Sequence, residues 1–97
     1  MISAKEAQER TTYIKKNFNR IAKAHFLGDL ERQADHRVRS RLTDLDHYEN
    51  NSVTLLFPMS ELPIEVRIEY AKEFFEKNGY KFTSYTGTKS RFYTISW

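Results

Sequence analysis

Ala7, Thr11, Ile14, Phe18, Ile21 and His25 recur at alternating steps of four and three, with Ala22 widening the row. That is the period of one helix face, and a stripe of this width can pack on a core or on a partner helix. Ser3 followed by Glu6 matches the capping box, in which the hydroxyl accepts from the amide three residues on, so the helix is expected to start at Ala4. Gly28 before Asp29 reads as a stop followed by a new N-cap, with a kink or short turn between two helices. The second helix, with Leu30, Ala34, Val38, Leu42 and Leu45 as its apolar stripe, is expected to run to about His47. Residues 36–41 (HRVRSR) also alternate with period two, so a strand competes with helix there. Residues 48–52 read as a loop.

Beyond this loop the period changes. Residues 53–57 (VTLLF) form a short apolar strand ended by Pro58. Ser60 can cap a third helix with Pro63 in its first turn, and the helix continues to Asn78, where Gly79 supplies a left-handed C-cap. Ile64, Ile68, Ala71 and Phe75 share one face, broadened by Tyr70 and Phe74, while Glu65, Glu69, Lys72, Glu73 and Glu76 face water. Residues 80–86 and 91–97 alternate as two strands joined around Gly87, a hairpin. The alternation turns Tyr93, Ile95 and Trp97 toward the core, Trp97 as a core plug, and leaves Tyr85 and Phe92 exposed. The fold class is therefore α+β, with two N-terminal helices plus a β-α-β-β unit. Its small three-stranded sheet is expected to be mixed, because a strand, crossover helix and strand imply a parallel pair to which the hairpin adds an antiparallel strand.

At 97 residues the chain is read as one domain, 1–97, with a basic helical part (1–48) and a β-α-β-β part (53–97). No apolar run approaches the roughly 18 residues that span a bilayer, and residues 1–10 lack a signal-peptide core, so a cytoplasmic protein without a membrane partner is expected. The absence of cysteine removes disulfides, thiolate nucleophiles and thiolate metal ligands. The net charge of +3 is unevenly spread: Lys and Arg outnumber Asp and Glu over residues 1–42 and 80–97, and acids dominate residues 43–79. Such asymmetry suits an anionic partner, or the pairing of one subunit with another.

His25, His36 and His47 are spaced eleven residues apart, two of them following an Asp. On one helix an eleven-residue step is roughly 16 Å, too far for two ligands of one zinc ion, so no metal is expected. Asp44 and Asp46 diverge on a helix, and no nucleophile elbow, phosphate-binding glycine loop or H-E-x-x-H occurs. The chain reads as a non-enzyme without cofactor; a metal-dependent nuclease using a histidine with Asp44 or Asp46 is the least unfavourable catalytic alternative. The basic residues offer more. Lys16, Arg20 and Lys23 form a row on the first helix, and Arg37, Arg39 and Arg41, with Arg32 nearby, fan over about half a helix circumference, where phosphates can sit. The hairpin adds Lys81, Lys89 and Arg91 among Tyr85, Phe92 and Tyr93, the interleaving by which sheets hold single strands. Protein association, including self-association, explains the same residues more economically, because small domains complete their cores by oligomerising and Arg and Tyr are frequent interface anchors.

The run from VTLLF through the capped helix to Asn78-Gly79-Tyr80-Lys81 and the closing Thr94-Ile95-Ser96-Trp97 resembles small accessory proteins of tailed bacteriophages, over about the last 45 residues. The resemblance implies a non-enzymatic protein that binds a host or phage macromolecule in the infected cell or the particle. It transfers no catalytic residue, and it leaves the binding surface to the six basic positions Lys16, Arg20, Lys23, Arg37, Arg39 and Arg41. Direct nucleic-acid binding through residues 37–41 is the alternative.

Overall fold

The computed structural model describes residues 1–84 and 91–97. The hairpin turn expected around Gly87 lies outside the described residues, as do Tyr85 and Lys89. Helix α1 (Ala4–Lys16) begins where the capping box places it, with Ser3 Oγ accepting from the Glu6 amide at 3.2 Å. It ends at Asn17, whose amide and side-chain nitrogens both donate to the Tyr13 carbonyl, at 3.0 and 2.9 Å. Helix α2 (Phe18–Thr43) follows immediately. The break expected at Gly28 thus falls eleven residues earlier, and α2 runs through Gly28 without a turn. Phe26, Leu30 and Ala34, buried at four-residue steps on either side of it, supply the tertiary packing that outweighs one poor helix former. The same packing makes residues 36–41 helix rather than strand. The helix stops short of His47 because the Asp44 side chain accepts the Asp46 amide at 3.0 Å, an Asx turn that competes with the helical ladder.

Strand β1 (Ser52–Leu56), helix α3 (Ile64–Lys77), strand β2 (Lys81–Ser84) and strand β3 (Phe92–Ser96) complete the fold. Ser60 Oγ accepts from the Leu62 amide at 3.1 Å, so it tightens the turn before α3 instead of capping the helix. At the other end Gly79 takes φ 86°, its amide reaches the Glu76 carbonyl at 3.0 Å, and the Tyr80 amide reaches the Phe75 carbonyl at 2.9 Å. That is a complete Schellman cap, closed by the Tyr80 ring edge-on to Phe75 at 6.0 Å.

The protein is α+β, and the expectation of a mixed sheet is corrected: the strand order is β1-β3-β2 and both pairings are antiparallel. β1 and β2 do run in the same direction, but β3 is inserted between them. Neighbouring strands lie about 4.8 Å apart and a helix is about 10 Å wide, so a crossover helix that skips one strand position covers the strand in the gap. The strand with the most deeply buried inner face takes that place: Tyr93 and Ile95 are both fully buried, opposite Leu55 and Val53 on one side and Ser84 and Phe82 on the other. Phe26, Leu30 and Ala34 of α2 and Ala71 and Phe75 of α3 close the core from one side. The opposite sheet face carries the exposed pair Leu56 and Phe92 and a Thr54–Thr94 hydroxyl contact of 2.9 Å. Trp97 is not a core plug. It lies just past β3 and is 37% exposed, its amide donating to the Asn51 carbonyl at 3.0 Å and its ring edge-on to Tyr80 at 6.3 Å. Its ring packs on Tyr80 at the margin of the core, where it stays partly open.

The radius of gyration, 17.0 Å, exceeds the roughly 13 Å of a compact domain this size, and the longest extent is 57 Å. α1 is the cause: none of its thirteen residues is buried. The two described glycines should respond oppositely to alanine. A methyl at Gly28 meets nothing within 4 Å, so Gly28→Ala is expected to raise stability by about 1 kcal/mol in denaturant melts, through helix propensity. Gly79→Ala, at positive φ, should lower it by about 1 kcal/mol.

Candidate interaction surface

The six basic candidates all lie on α1 or α2, and the structure separates them by what they touch. Lys16 closes the last turn of α1, where a cation complements the helix dipole, and is exposed. Arg20 donates to the Tyr13 hydroxyl at 2.7 Å across the Asn17 junction, which fixes a guanidinium and a phenol side by side on the surface. Lys23 turns toward the body, its ammonium 4.4 Å from the centre of the Tyr70 ring on α3. Arg41 also turns inward, donating to the Asn50 carbonyl at 3.3 Å and so tying the end of α2 to the loop before β1. Arg39 pairs with Asp35 at 2.8 Å, and Arg32 with Asp29 at 3.4 Å, both in the open. Among the described residues Arg37 makes no hydrogen bond or ion pair.

The arginine cluster at 37–41 is therefore three residues in three situations. A helix turns about 100° per residue, so Arg39 points away from Arg37 and Arg41 by about 160°, and a single phosphate row cannot meet all three. The exposed aromatic on the sheet is Phe92, beside Leu56, with Lys81 on the same strand face two pairs along.

The histidines do not converge. His25 is exposed, although it continues the apolar row of its helix, and His47 sits in the turn beyond α2, so it shares no helix face with His36. His47 Nδ1 lies 2.8 Å from Asp44 Oδ2. That contact, with the Asp46 amide as the lesser cause, holds the Asp44 carboxyl below its ordinary value. Among the described residues no three His, Asp or Glu side chains gather closely enough to hold a metal ion, and no helix is long and apolar enough to cross a membrane.

Sequence reasoning missed a surface of a different kind. Ile14, Phe18 and Ile21 on the projecting helices form one wall of a groove of about 380 Å³, and Met59, Ser60 and Glu61 of the loop before α3 form the other. Met59 is 96% exposed, Ile14 49% and Phe18 42%. The stripe itself was legible from its spacing; the opposing Met59 carries no periodic signal because it sits in a loop.

Two buried polar atoms lack a partner among the described residues, Arg67 Nε and the Tyr93 hydroxyl. The Tyr93 ring is enclosed by Phe57, Phe75 and Phe82, with centroids 4.8, 5.4 and 5.8 Å away. Burial pushes its phenol pKa well above the ordinary 10.0, so the group stays protonated and has no base to exchange with.

No protein-family model, curated protein or solved structure matches this chain.

Tyr93→Phe keeps the ring and removes the unpaired hydroxyl, so stability in urea melts is expected to hold or to rise by about 1 kcal/mol. Because the unfolded chain releases the Tyr93 proton near pH 10.0 and the folded chain keeps it, the contribution of Tyr93 is complete below that pH and falls as pH rises. Alkaline titration followed by circular dichroism should show the Phe variant unfolding at higher pH than the parent.

Proposed function

We propose that the chain is a non-enzymatic accessory protein, of the kind the carboxy-terminal resemblance to tailed-phage proteins implies. It acts in the cytoplasm of the infected cell and binds a host or phage macromolecule through the basic outer side of its projecting helices. The observation that carries this reading is the hydrogen bond of 2.7 Å from Arg20, at the start of α2, to Tyr13 of α1, a helix that also carries exposed Lys16 and buries nothing in its own fold. Arg and Tyr are the residue types that anchor interfaces, and holding the guanidinium beforehand lowers the entropy lost on binding. Lys16 and Arg20 lead the contact set and Arg37 extends it. Lys23, Arg39 and Arg41 are already engaged within the chain, so they contribute less.

The partner is a protein with an acidic surface. Nucleic acid has weaker support, since Arg39 points away from Arg37 and Arg41 and is paired with Asp35, and Arg41 bonds to the Asn50 carbonyl. Immobilised full-length chain should retain a protein from nuclease-treated bacterial lysate, and Lys16→Glu/Arg20→Glu should lose it while circular dichroism stays unchanged. Equal retention by the variant would remove this face from the interaction. Loss of the captured species on nuclease treatment, together with a salt-sensitive gel shift of DNA that Arg37→Ala abolishes, would replace the reading with nucleic-acid binding.

A further inference from the structure

We propose that two copies of this chain exchange their first helices, the apolar face of α1 in each seating in the groove beneath Met59 of the other. The surface involved is opposite the one that carries Lys16 and Arg20, so the inference stands apart from the partner-binding reading.

Four observations point to a second copy as the occupant. First, α1 has thirteen residues and buries none of them, and an isolated helix of that length is marginal in water, so its helical form calls for cover. Second, the row of Ala7, Thr11 and Ile14 on α1, continued by Phe18 at the start of α2, is exposed, and so is the far wall of the groove, where Met59 is 96% exposed. Third, the charges match. Arg10 and Lys15 lie about 40° and 100° round the helix from Ile14 and so flank the stripe on its two sides. The groove contributes Asp29 and Glu61, Asp29 also standing 3.4 Å from Arg32 and Arg10 standing 3.2 Å from Glu6. Fourth, Ile14 and Phe18 belong both to the inserted helix and to the groove wall, so one patch supplies both halves of the contact. A patch that complements itself is the condition for a two-fold dimer, with the α1 helices antiparallel and Ile14 near the axis. Covering one side of a helix about 20 Å long, twice over, is on the scale of a standard interface of roughly 1,600 Å².

Sedimentation equilibrium of the full chain tests this. The parent should be a dimer. The arm variant Arg10→Glu/Lys15→Glu and the groove variant Asp29→Lys/Glu61→Lys should each dissociate about tenfold more readily, because each sets like charges against one another. Mixed in equal amounts the two variants should regain the dimer as a heterodimer, since acidic arm then meets basic groove and basic arm meets acidic groove. Met59→Glu, at an exposed loop position where misfolding is not at issue, should weaken the parent dimer as well. Lys16→Glu/Arg20→Glu should leave the dimer intact, which separates failure here from failure of the partner-binding reading. A parent that stays monomeric overturns the proposal and returns the groove to a foreign partner. A groove variant that dimerises as tightly as the parent also overturns it, because the helices would then pair without the groove; so does a mixture that stays monomeric.

Discussion

The packing around Tyr93 is the contact on which the joining of the sheet to α3 depends. Its ring is met by Phe57 from the end of β1, Phe75 from α3 and Phe82 from β2, so three separately folded segments share one neighbour. Phe75 and Phe82 also stack on one another, 6.1 Å apart, which closes the set into a ring of mutual contacts. Aromatic pairs at these separations add roughly 0.5–1.5 kcal/mol each beyond the area they bury, and each also fixes an angle between elements. The cost is a hydroxyl carried into the interior without a partner. The sheet accepts it because the phenyl part of the side chain is what α3 and both edge strands rest on.

The body and the arm of the molecule obey different rules as a result. In the body, charge is kept at the margins: Lys23 on the Tyr70 face and Arg41 on the Asn50 carbonyl act as fasteners at the two ends of the apolar row of α2. Their long aliphatic stems allow them to sit at the edge of a core while the charged group finds electrons to face. In the arm no such fastening exists. α1 is tied to α2 by the Asn17 junction and the Arg20–Tyr13 hydrogen bond that crosses it, and its capping and ion pair lie within the helix itself.

Most of the body was legible from the chain. The Ser3 cap, the face of α3, the Gly79 cap and the inward turn of Tyr93 and Ile95 depend on short-range rules, and the structure bears each of them out. What failed was non-local. Gly28 carries the local chemistry of a stop, yet the decision belonged to Phe26, Leu30 and Ala34 and the sheet beneath them. The place of β3 between β1 and β2 cannot be read from hairpin chemistry, which says that two strands pair but not which of them has a second neighbour. The basic residues were visible as a row and a cluster, but whether a lysine or arginine faces water or an internal acceptor depends on neighbours as far away as Asn50 and Tyr70. Trp97 shows the limit of alternation, which gives a side chain's direction but not how much of the fold covers it.

The central position of β3 sets an order of events during synthesis. β1 and β2 are complete after residue 84, yet they do not touch one another; each pairs only with a strand made later. A nascent chain that has emerged as far as β2 therefore carries two strands with both edges open and an aromatic cluster lacking its middle member, Tyr93. Sheet formation must wait until residues 92–96 have cleared the ribosome, and it joins segments up to 44 positions apart, from Ser52 to Ser96. Until its last strand has been made, this fold has no sheet at all.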